Sequence, residues 1–179
     1  MANMTELILP LLDAAGTRSI AEVGAYAGDF TAVLAGWAAE SGARVIAIDP
    51  LPQEALSALA AEREGVELIE RTSHDALAEM ELPDAIVLDG DHNYHTVSGE
   101  LATIGDRAPG AKLPLLLLHD VAWPHARRDA YYAPDRIPAE YQDEIEEGVG
   151  VFPGETGVTF GGLPYKWAAR SEGGERNGV

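Results

Sequence analysis

The sequence contains no cysteine, few basic residues and no long hydrophobic run. Without cysteine, none of its 179 residues can form a disulfide, a thiolate zinc site or a cysteine nucleophile. No apolar stretch approaches the ~18 residues of a transmembrane helix, and no basic segment followed by a long apolar stretch opens the chain. We therefore expect neither a membrane span nor a secretory signal, and we predict a cytoplasmic protein.

Basic side chains are scarce, because 12 lysines and arginines stand against 30 aspartates and glutamates, for a formal net charge of −18. The negative electrostatic potential of such a chain repels phosphate backbones and anionic lipid. We therefore expect neither nucleic acid nor a membrane surface as a partner. The acidity also serves solubility. It does not restrict a small-molecule substrate, because a local basic pair such as Arg127 and Arg128 can override it.

Short apolar runs alternate with helical patterns along the chain, which is typical of a parallel α/β sheet. Predicted strands cover Ser19–Val23, Arg44–Ile48, Val66–Ile69, Ala85–Leu88 and Leu113–Leu118. Predicted helices cover Thr5–Ala15, Asp29–Glu40, Pro52–Arg63, Ser73–Met80 and Tyr94–Arg107. The fold class that this order predicts is α/β, with a doubly wound, mostly parallel sheet.

The pattern changes after the fifth predicted strand, where tyrosine, arginine, aspartate and proline become frequent. We expect an α/β core over residues 1–122, and a substrate-side insert and C-terminal segment of the same domain over 123–170. Residues 171–179 are polar and glycine-rich and are expected to form a flexible tail. Within the C-terminal segment, Val149–Phe160 is predicted to form a glycine-punctuated hairpin.

Polar residues and glycines follow the ends of all five predicted strands. They are Gly24–Gly28, Asp49, Ser73 with His74, Asp89–His92, and His119 with Asp120. Ligands of open α/β sheets bind beyond the carboxyl ends of the strands. Because random placement would scatter such residues over both ends, the pattern predicts one ligand crevice at the carboxyl edge of the sheet.

The turn after the first strand reads Glu22-Val23-Gly24-Ala25-Tyr26-Ala27-Gly28. Glycines let the backbone approach a ligand and adopt positive φ, and the following helix offers unpaired N–H groups. The G-x-x-x-G spacing departs from the G-x-G-x-x-G of dinucleotide sites. Glu22 would repel pyrophosphate but suits the cationic amino-acid end of a methionine-derived cofactor. An ordinary tight turn is the alternative interpretation.

Carboxylates mark the ends of the second, fourth and fifth predicted strands. Asp49 is placed to accept both ribose hydroxyls of a nucleoside, or else to cap the next helix. Asp89-Gly90-Asp91-His92 and His119-Asp120 combine carboxylates with imidazoles. Such a set could bind Mg²⁺, Mn²⁺, Ca²⁺ or Fe²⁺ or hold a general base, and its alternative is polar strand-end capping.

In their order along the chain, these motifs resemble those of class I methyltransferases that use S-adenosylmethionine (SAM). The resemblance rests on Glu22–Gly28, Ile48–Pro50, Thr72–Asp75, Leu88–His92 and Leu118–Asp120 and covers about the first 120 residues. It is closest to catechol and caffeoyl-CoA O-methyltransferases and related bacterial small-molecule O-methyltransferases. It implies a Rossmann-like methyltransferase fold, SAM as cofactor, a small-molecule hydroxyl as acceptor and, as in many relatives, a homodimer.

The resemblance also implies roles for individual residues. Those that would bind the cofactor are Glu22, Gly24, Ala25, Tyr26 and Gly28 for the methionine part, Asp49 for the ribose, Ser73 and His74 beside the adenine, and Asp89. Those at the family's positions for Mg²⁺ or another divalent metal are Asp89, His119 and Asp120. His92 would be the base, with His95 and His125 as weaker candidates, and Asp89 would share the catalytic role.

Two features depart from the family pattern. The second and third metal positions hold His-Asp where the family usually has Asp-Asn. The usual C-terminal strand pair is predicted to be missing or rearranged, because only Val149–Phe160 could supply it. The segment around Trp123, Arg127 and Arg128 would then cover an anionic or aromatic substrate, with Asp91 also on the substrate side.

Three other functions fit the same residues less well. An NAD-dependent oxidoreductase shares the fold and the acidic end of the second strand, but not the glycine spacing. A metal-dependent hydrolase would use the acidic and histidine groups without SAM. A non-catalytic SAM-binding module would bind the cofactor without turning over any acceptor.

Overall fold

A computed structural model describes residues 4–91, 94–108, 112–119, 156–160 and 163–167 of the chain. The chain divides into two compact units, and the first consists of Met1–Gly90 with Glu100–His119. The second consists of Asp91–Gly99 with Asp120–Val179. The domain boundaries expected at residues 122 and 170 stay predictions.

Helices and strands alternate through the first 119 residues, as the sequence predicts. The helices are α1 (Thr5–Ala14), α2 (Asp29–Ser41), α3 (Glu54–Glu62), α4 (Ser73–Glu79) and α5 (Tyr94–Arg107). The strands are β1 (Ser19–Val23), β2 (Arg44–Ile48), β3 (Val66–Ile69), β4 (Ala85–Leu88) and β5 (Leu115–Leu118), followed by β6 (Thr156–Phe160) and β7 (Leu163–Trp167). None of the helices in the described part of the chain combines the length and apolarity needed to cross a bilayer.

The first five strands form one parallel sheet in the order β3-β2-β1-β4-β5. The chain therefore runs outward from β1 to β3 and then returns to the other side of β1 to place β4. Between β1 and β4 the strand order reverses, which makes this position the topological switch point of the sheet. The doubly wound, parallel α/β fold predicted from the sequence is confirmed.

Helices cover both faces of this sheet. On one face, alternate strand residues such as Ile20, Val45 and Val87 pack against the buried side chains of α1 and α2, including Leu12 and Leu34. The residues between them face the other way and pack against α4 and α5 through Ala76, Leu77 and Ile104. Each fully buried leucine or isoleucine contributes about 1.5–3 kcal/mol to stability, so burial on both faces stabilises the sheet.

Two predicted boundaries shift for identifiable reasons. The fifth strand begins at Leu115 rather than Leu113, since Pro114 has no N–H for the ladder and Leu113 is exposed. The third helix begins at Glu54 rather than Pro52, because the backbone of Gln53 is extended, with ψ 158°. In α1, Ile8 and Leu12 are buried, whereas Leu7 and Leu11 are exposed. They lie one residue, or about 100°, away from the buried line.

The C-terminal strand pair was predicted to be missing or rearranged, and its strands lie elsewhere in the sequence than the hairpin predicted there. An antiparallel pair exists, but it joins β6 to β7 instead of lying within Val149–Phe160. The strand pattern of β7 was missed because Pro164 interrupts its alternation and argues against a strand. This pair is a separate two-stranded sheet.

Asp84 fastens the amino-terminal edge of the parallel sheet. Its Oδ2 accepts the backbone N–H groups of Arg18 at 2.9 Å and Ser19 at 3.1 Å, and also the Ser19 hydroxyl at 3.1 Å. The Arg18 N–H is the main reason that the pKa of this carboxyl lies below its ordinary value of 3.8. The starts of β1 and β4 are therefore held together by one largely exposed carboxylate.

We expect Asp84→Ala to lower the free energy of unfolding by about 1–2 kcal/mol, because several hydrogen bonds are lost at an exposed site. Since the pKa of Asp84 is lowered on folding, its contribution is present above pH 3.8 and is lost as the pH falls through the folded value. Thermal melts should therefore separate variant and parent more at pH 7 than at pH 3. Glu81→Ala, at an exposed neighbouring position, is the control and should melt with the parent at both.

Candidate cofactor site

The turn after β1 is built at the switch point, where β1 and β4 stay close beyond their ends. Gly24 has φ +80°, and a Cβ at this position would lie 2.5 Å from the Gly90 Cα and would also strike the carbonyl oxygen of Asp89. The backbone therefore leaves no room for any side chain. Gly24 therefore packs against the backbone that follows β4. The family resemblance also places it beside the cofactor.

Gly28 ends the turn and begins α2. It is the N-cap residue with φ +85°, and a Cβ there would press on Leu56 of α3 at 3.2 Å. Tyr26, between the two glycines, also has a positive φ of +48° while 64% of its side chain is exposed. Left-handed backbone is uncommon outside glycine, and it clusters at ligand-binding turns. The turn thus presents its backbone and the Tyr26 ring at the carboxyl edge of the sheet.

Asp49 holds this turn against the end of β2. Its Oδ2 accepts the Tyr26 N–H at 2.7 Å and its Oδ1 accepts the Leu51 N–H at 2.8 Å. The residue is 8% exposed. Each carboxylate oxygen can accept more than one hydrogen bond. Asp49 therefore organises two loops and still has acceptor capacity for ligand hydroxyls.

Glu22 is a buried acid in the central strand. It is 2% exposed, and its Oε2 accepts the hydroxyl hydrogen of Thr31, in the first turn of α2, at 2.7 Å. Burial raises the pKa of this carboxyl to about 7, and the nearby charges of Asp89 and Asp49 also raise it. The acids at the ends of β1, β2 and β4 therefore lie close enough to repel one another.

Asp89 and His119 meet across the ends of β4 and β5. The Asp89 Oδ1 lies 2.8 Å from the His119 Nδ1, and both side chains are partly exposed. At that distance the two side chains form an ion pair when the imidazole is protonated. The strands bring them together, since the Asp89 N–H bonds to β1 and the His119 N–H bonds to β4.

A divalent metal is expected at Asp89, His119 and Asp120 from the family resemblance. The described part of the chain contains no group of three or more histidine, cysteine, aspartate or glutamate residues that could hold a metal ion. Asp89 and His119 are engaged with each other, and Asp120 lies outside the described residues. The described residues therefore do not make a metal site by themselves, and metal binding stays a prediction.

The remaining predicted residues have different outcomes. Ser73 is buried and His74 is half-buried, at the start of α4 beyond the end of β3, where the Thr72 hydroxyl caps the helix by accepting the Asp75 N–H. Ala25 is buried in the turn. Asp91 and His95 belong to the second unit and are half-buried. Those outside the described residues are His92, Asp120, Trp123, His125, Arg127 and Arg128.

Two residues of this site were missed in the sequence. Thr31 lies within an apolar helical pattern, and nothing in that pattern signals that its hydroxyl meets Glu22. Leu51 is 68% exposed, and its N–H shares the Asp49 carboxylate with the Tyr26 N–H. Its position two residues after a strand-ending acid was the available signal. Together Tyr26 and Leu51 place two large exposed side chains beside that acid.

Comparison with known families decides the class of this chain. Residues 21–121 match the family model described as a methyltransferase domain, and they make up more than half of the 179-residue chain. The chain belongs to this methyltransferase family. The matched region begins inside β1 and ends just after β5, so it contains every strand end of the parallel sheet. No curated protein sequence matches the chain.

Solved structures share the fold of this methyltransferase domain. One is a caffeoyl-CoA O-methyltransferase-like protein from Staphylococcus aureus, with TM-score 0.53 and 16% identity over 83% of this chain and 69% of that one. Another is the Podospora anserina methyltransferase PaMTH1 bound to S-adenosylhomocysteine (SAH), with TM-score 0.56 and 16% identity over 81% of this chain. This chain spans only 63% of the PaMTH1 chain.

Proposed function

We propose that the chain transfers a methyl group from SAM to a hydroxyl group of a small molecule. The observation that carries the proposal is the set of three acids, Glu22, Asp49 and Asp89, around the glycine turn at the switch point of a methyltransferase-family sheet. Ligands of such sheets bind at the switch point. A ligand for this site must therefore tolerate, or use, an acidic surrounding.

The acids favour SAM over a dinucleotide. Pyrophosphate at this turn would be repelled by Glu22, and NAD sites usually show a different glycine spacing. SAM instead carries a positive sulfonium and an ammonium group. The ammonium would lie toward Glu22, while the backbone of Gly24–Gly28 would enclose the methionine part.

Asp49 is suited to the ribose of SAM, because both carboxylate oxygens are held in place by backbone N–H groups and can accept further hydrogen bonds. The exposed side chains of Tyr26 and Leu51 flank it and would provide apolar surface for the nucleoside. Ser73 and His74 would lie beside the adenine, at the end of the neighbouring strand.

Methyl transfer is an in-line displacement at carbon, so the enzyme mainly has to hold the acceptor oxygen opposite the sulfur. The acceptor must also lose its proton, and an imidazole with a pKa near the working pH is suited to that task. His119 lies beside Asp89 at the carboxyl edge of the sheet, with 2.8 Å between the Nδ1 and Oδ1 atoms. His92 remains the base implied by the resemblance, with Asp91, Trp123, Arg127 and Arg128 as substrate contacts.

The resemblance to the S. aureus protein supports oxygen as the acceptor atom, and the SAH in PaMTH1 supports the cofactor. Neither likeness identifies the acceptor molecule. A divalent metal would add Lewis-acid activation of the hydroxyl if Asp120 completes a site with Asp89 and His119. That role is separable from cofactor binding.

Calorimetric titration with SAH tests the proposal directly. We expect one SAH per chain with a dissociation constant of order 10 µM, in the usual range for enzyme ligands, and no heat from NAD under the same conditions. Repeating the titration with Mg²⁺ and a catechol-type acceptor tests the metal. Binding of NAD without SAH would overturn the proposal in favour of an oxidoreductase.

A further inference from the structure

Glu22 lies in a place where a charged carboxylate is poorly solvated. Its neighbours across the ladder are Ala47 of β2 and Val87 of β4, which are both fully buried. Thr31, which is also fully buried, supplies the hydrogen bond from α2 to Oε2. The immediate surroundings thus combine apolar strand residues with one neutral hydroxyl.

The charges that act on Glu22 from neighbouring elements are mostly of its own sign. Asp89 just after β4 and Asp49 just after β2 disfavour its ionisation, and Asp89 in turn contacts His119 just after β5. The Thr31 hydroxyl and the charge of the amino terminus favour ionisation. Burial outweighs them and raises the pKa to about 7. Near neutral pH the ligand-free chain therefore holds Glu22 as a mixture of carboxylic acid and carboxylate.

We propose that Glu22 couples cofactor binding to proton release, and that Thr31 is the positioning residue that sets how readily Glu22 ionises. The inference rests on the proposed function, because it needs a cationic ligand at the glycine turn. The O–H bond of the Glu22 carboxylic acid breaks, the proton passes to buffer, and the carboxylate formed faces the ligand ammonium. No other bond changes.

The coupling predicts a specific pH dependence. With the pKa of free Glu22 at about 7, binding at pH 6 should release about 0.9 proton and binding at pH 8 only about 0.1. The dissociation constant of SAH, whose ammonium group would face Glu22, should therefore fall about tenfold between these pH values. A structural glutamate whose ionisation did not change on binding would produce neither effect.

The test is calorimetry of SAH binding to the full chain at pH 6 and pH 8, in pairs of buffers with different ionisation enthalpies, which counts the protons released. Glu22→Gln keeps the shape and removes the titration, and subtracting its proton count removes contributions from His119 and from SAH itself. Thr31→Val deletes the hydrogen bond and should shift the release toward higher pH. Thr31→Ser retains the hydroxyl and should restore the parent profile.

The outcomes separate the two proposals. SAH binding whose proton count equals that of Glu22→Gln at both pH values would overturn the coupling and leave the proposed function standing. Absence of SAH binding by the folded parent would overturn both. If Glu22→Gln does not fold, the parent proton count at pH 6 against pH 8, with the Thr31→Val and Thr31→Ser profiles, still decides the matter.

A ligand-free measurement provides a second check. Because the pKa of Glu22 is raised from 4.5 to about 7 on folding, its effect on stability is fully favourable below pH 4.5 and is lost as the pH rises to about 7. Melting temperatures of the parent should therefore fall relative to those of Glu22→Gln across this window and run parallel above it. Parallel curves throughout would contradict the inferred ionisation.

Discussion

Replacing Gly24 by alanine is expected to lower the free energy of unfolding by about 3 kcal/mol and the melting temperature by roughly 10 °C. Two costs combine at this position. The new Cβ would overlap the backbone of Asp89 and Gly90 at the switch point, and φ would remain near +80°. Because both clashing partners are backbone atoms of a packed strand end, neither can move aside cheaply. Differential scanning calorimetry measures the change.

Two other glycines separate the cost of the steric clash from the cost of the backbone strain. Gly42, at the end of α2, has φ +69° but open space around a Cβ, so Gly42→Ala should cost only the strain of about 1 kcal/mol. Gly36 lies inside α2 with open space and ordinary helical backbone, so Gly36→Ala should stabilise the chain by up to about 1 kcal/mol. Equal effects for Gly24→Ala and Gly42→Ala would show that the close approach of β1 to β4 does not exist.

Asp49→Ala is expected to weaken SAH binding about 100-fold, equivalent to about 2.7 kcal/mol. The change removes the acceptor proposed for the ribose hydroxyls and leaves the N–H groups of Tyr26 and Leu51 without their carboxylate. Hydrogen bonds to a charged group are each worth about 1.5–3 kcal/mol, so the loss of ligand contacts alone accounts for the effect. Isothermal titration calorimetry measures it.

Asp106→Ala is the matched control, because it removes the same side chain and charge from an exposed position on α5. SAH affinity should be unchanged in this variant. If the two variants bound SAH equally well, Asp49 would have only the loop-organising role that its hydrogen bonds already show. A melting curve for Asp49→Ala is needed as well, since loss of the loop contacts also lowers stability.

Much of the fold follows from local pattern. Four of the five parallel strands have the bounds predicted from their apolar runs, and α5 also begins and ends as predicted. Such runs can be recognised as strands in the sequence because a strand covered on both faces is apolar at nearly every position. The strand order, in contrast, does not follow from local sequence pattern. No local pattern states that β4 returns to lie beside β1, since that depends on how the helices pack over the sheet.

The residues of the candidate site likewise divide into those that the sequence predicted and those that it did not. The glycines and the acids at strand ends were visible in the sequence because their residue types are unusual at those positions. Thr31 was not visible, because a threonine in an amphipathic helix is ordinary until the sheet brings Glu22 within 2.7 Å of its hydroxyl. The contact of Asp89 with His119 joins residues 30 positions apart through the pairing of β4 with β5.

The sequence by itself determined which segments are strands and which residues end them, since periodicity and residue type are local properties. Only the tertiary structure decided that Glu22 is buried beside Thr31, that Gly24 touches the backbone of β4, and that Asp49 binds two loops at once. These contacts depend on sheet order and helix packing. The raised pKa of Glu22 depends on the same packing, because removal of a carboxyl from water is a property of its surroundings and not of its position in the chain.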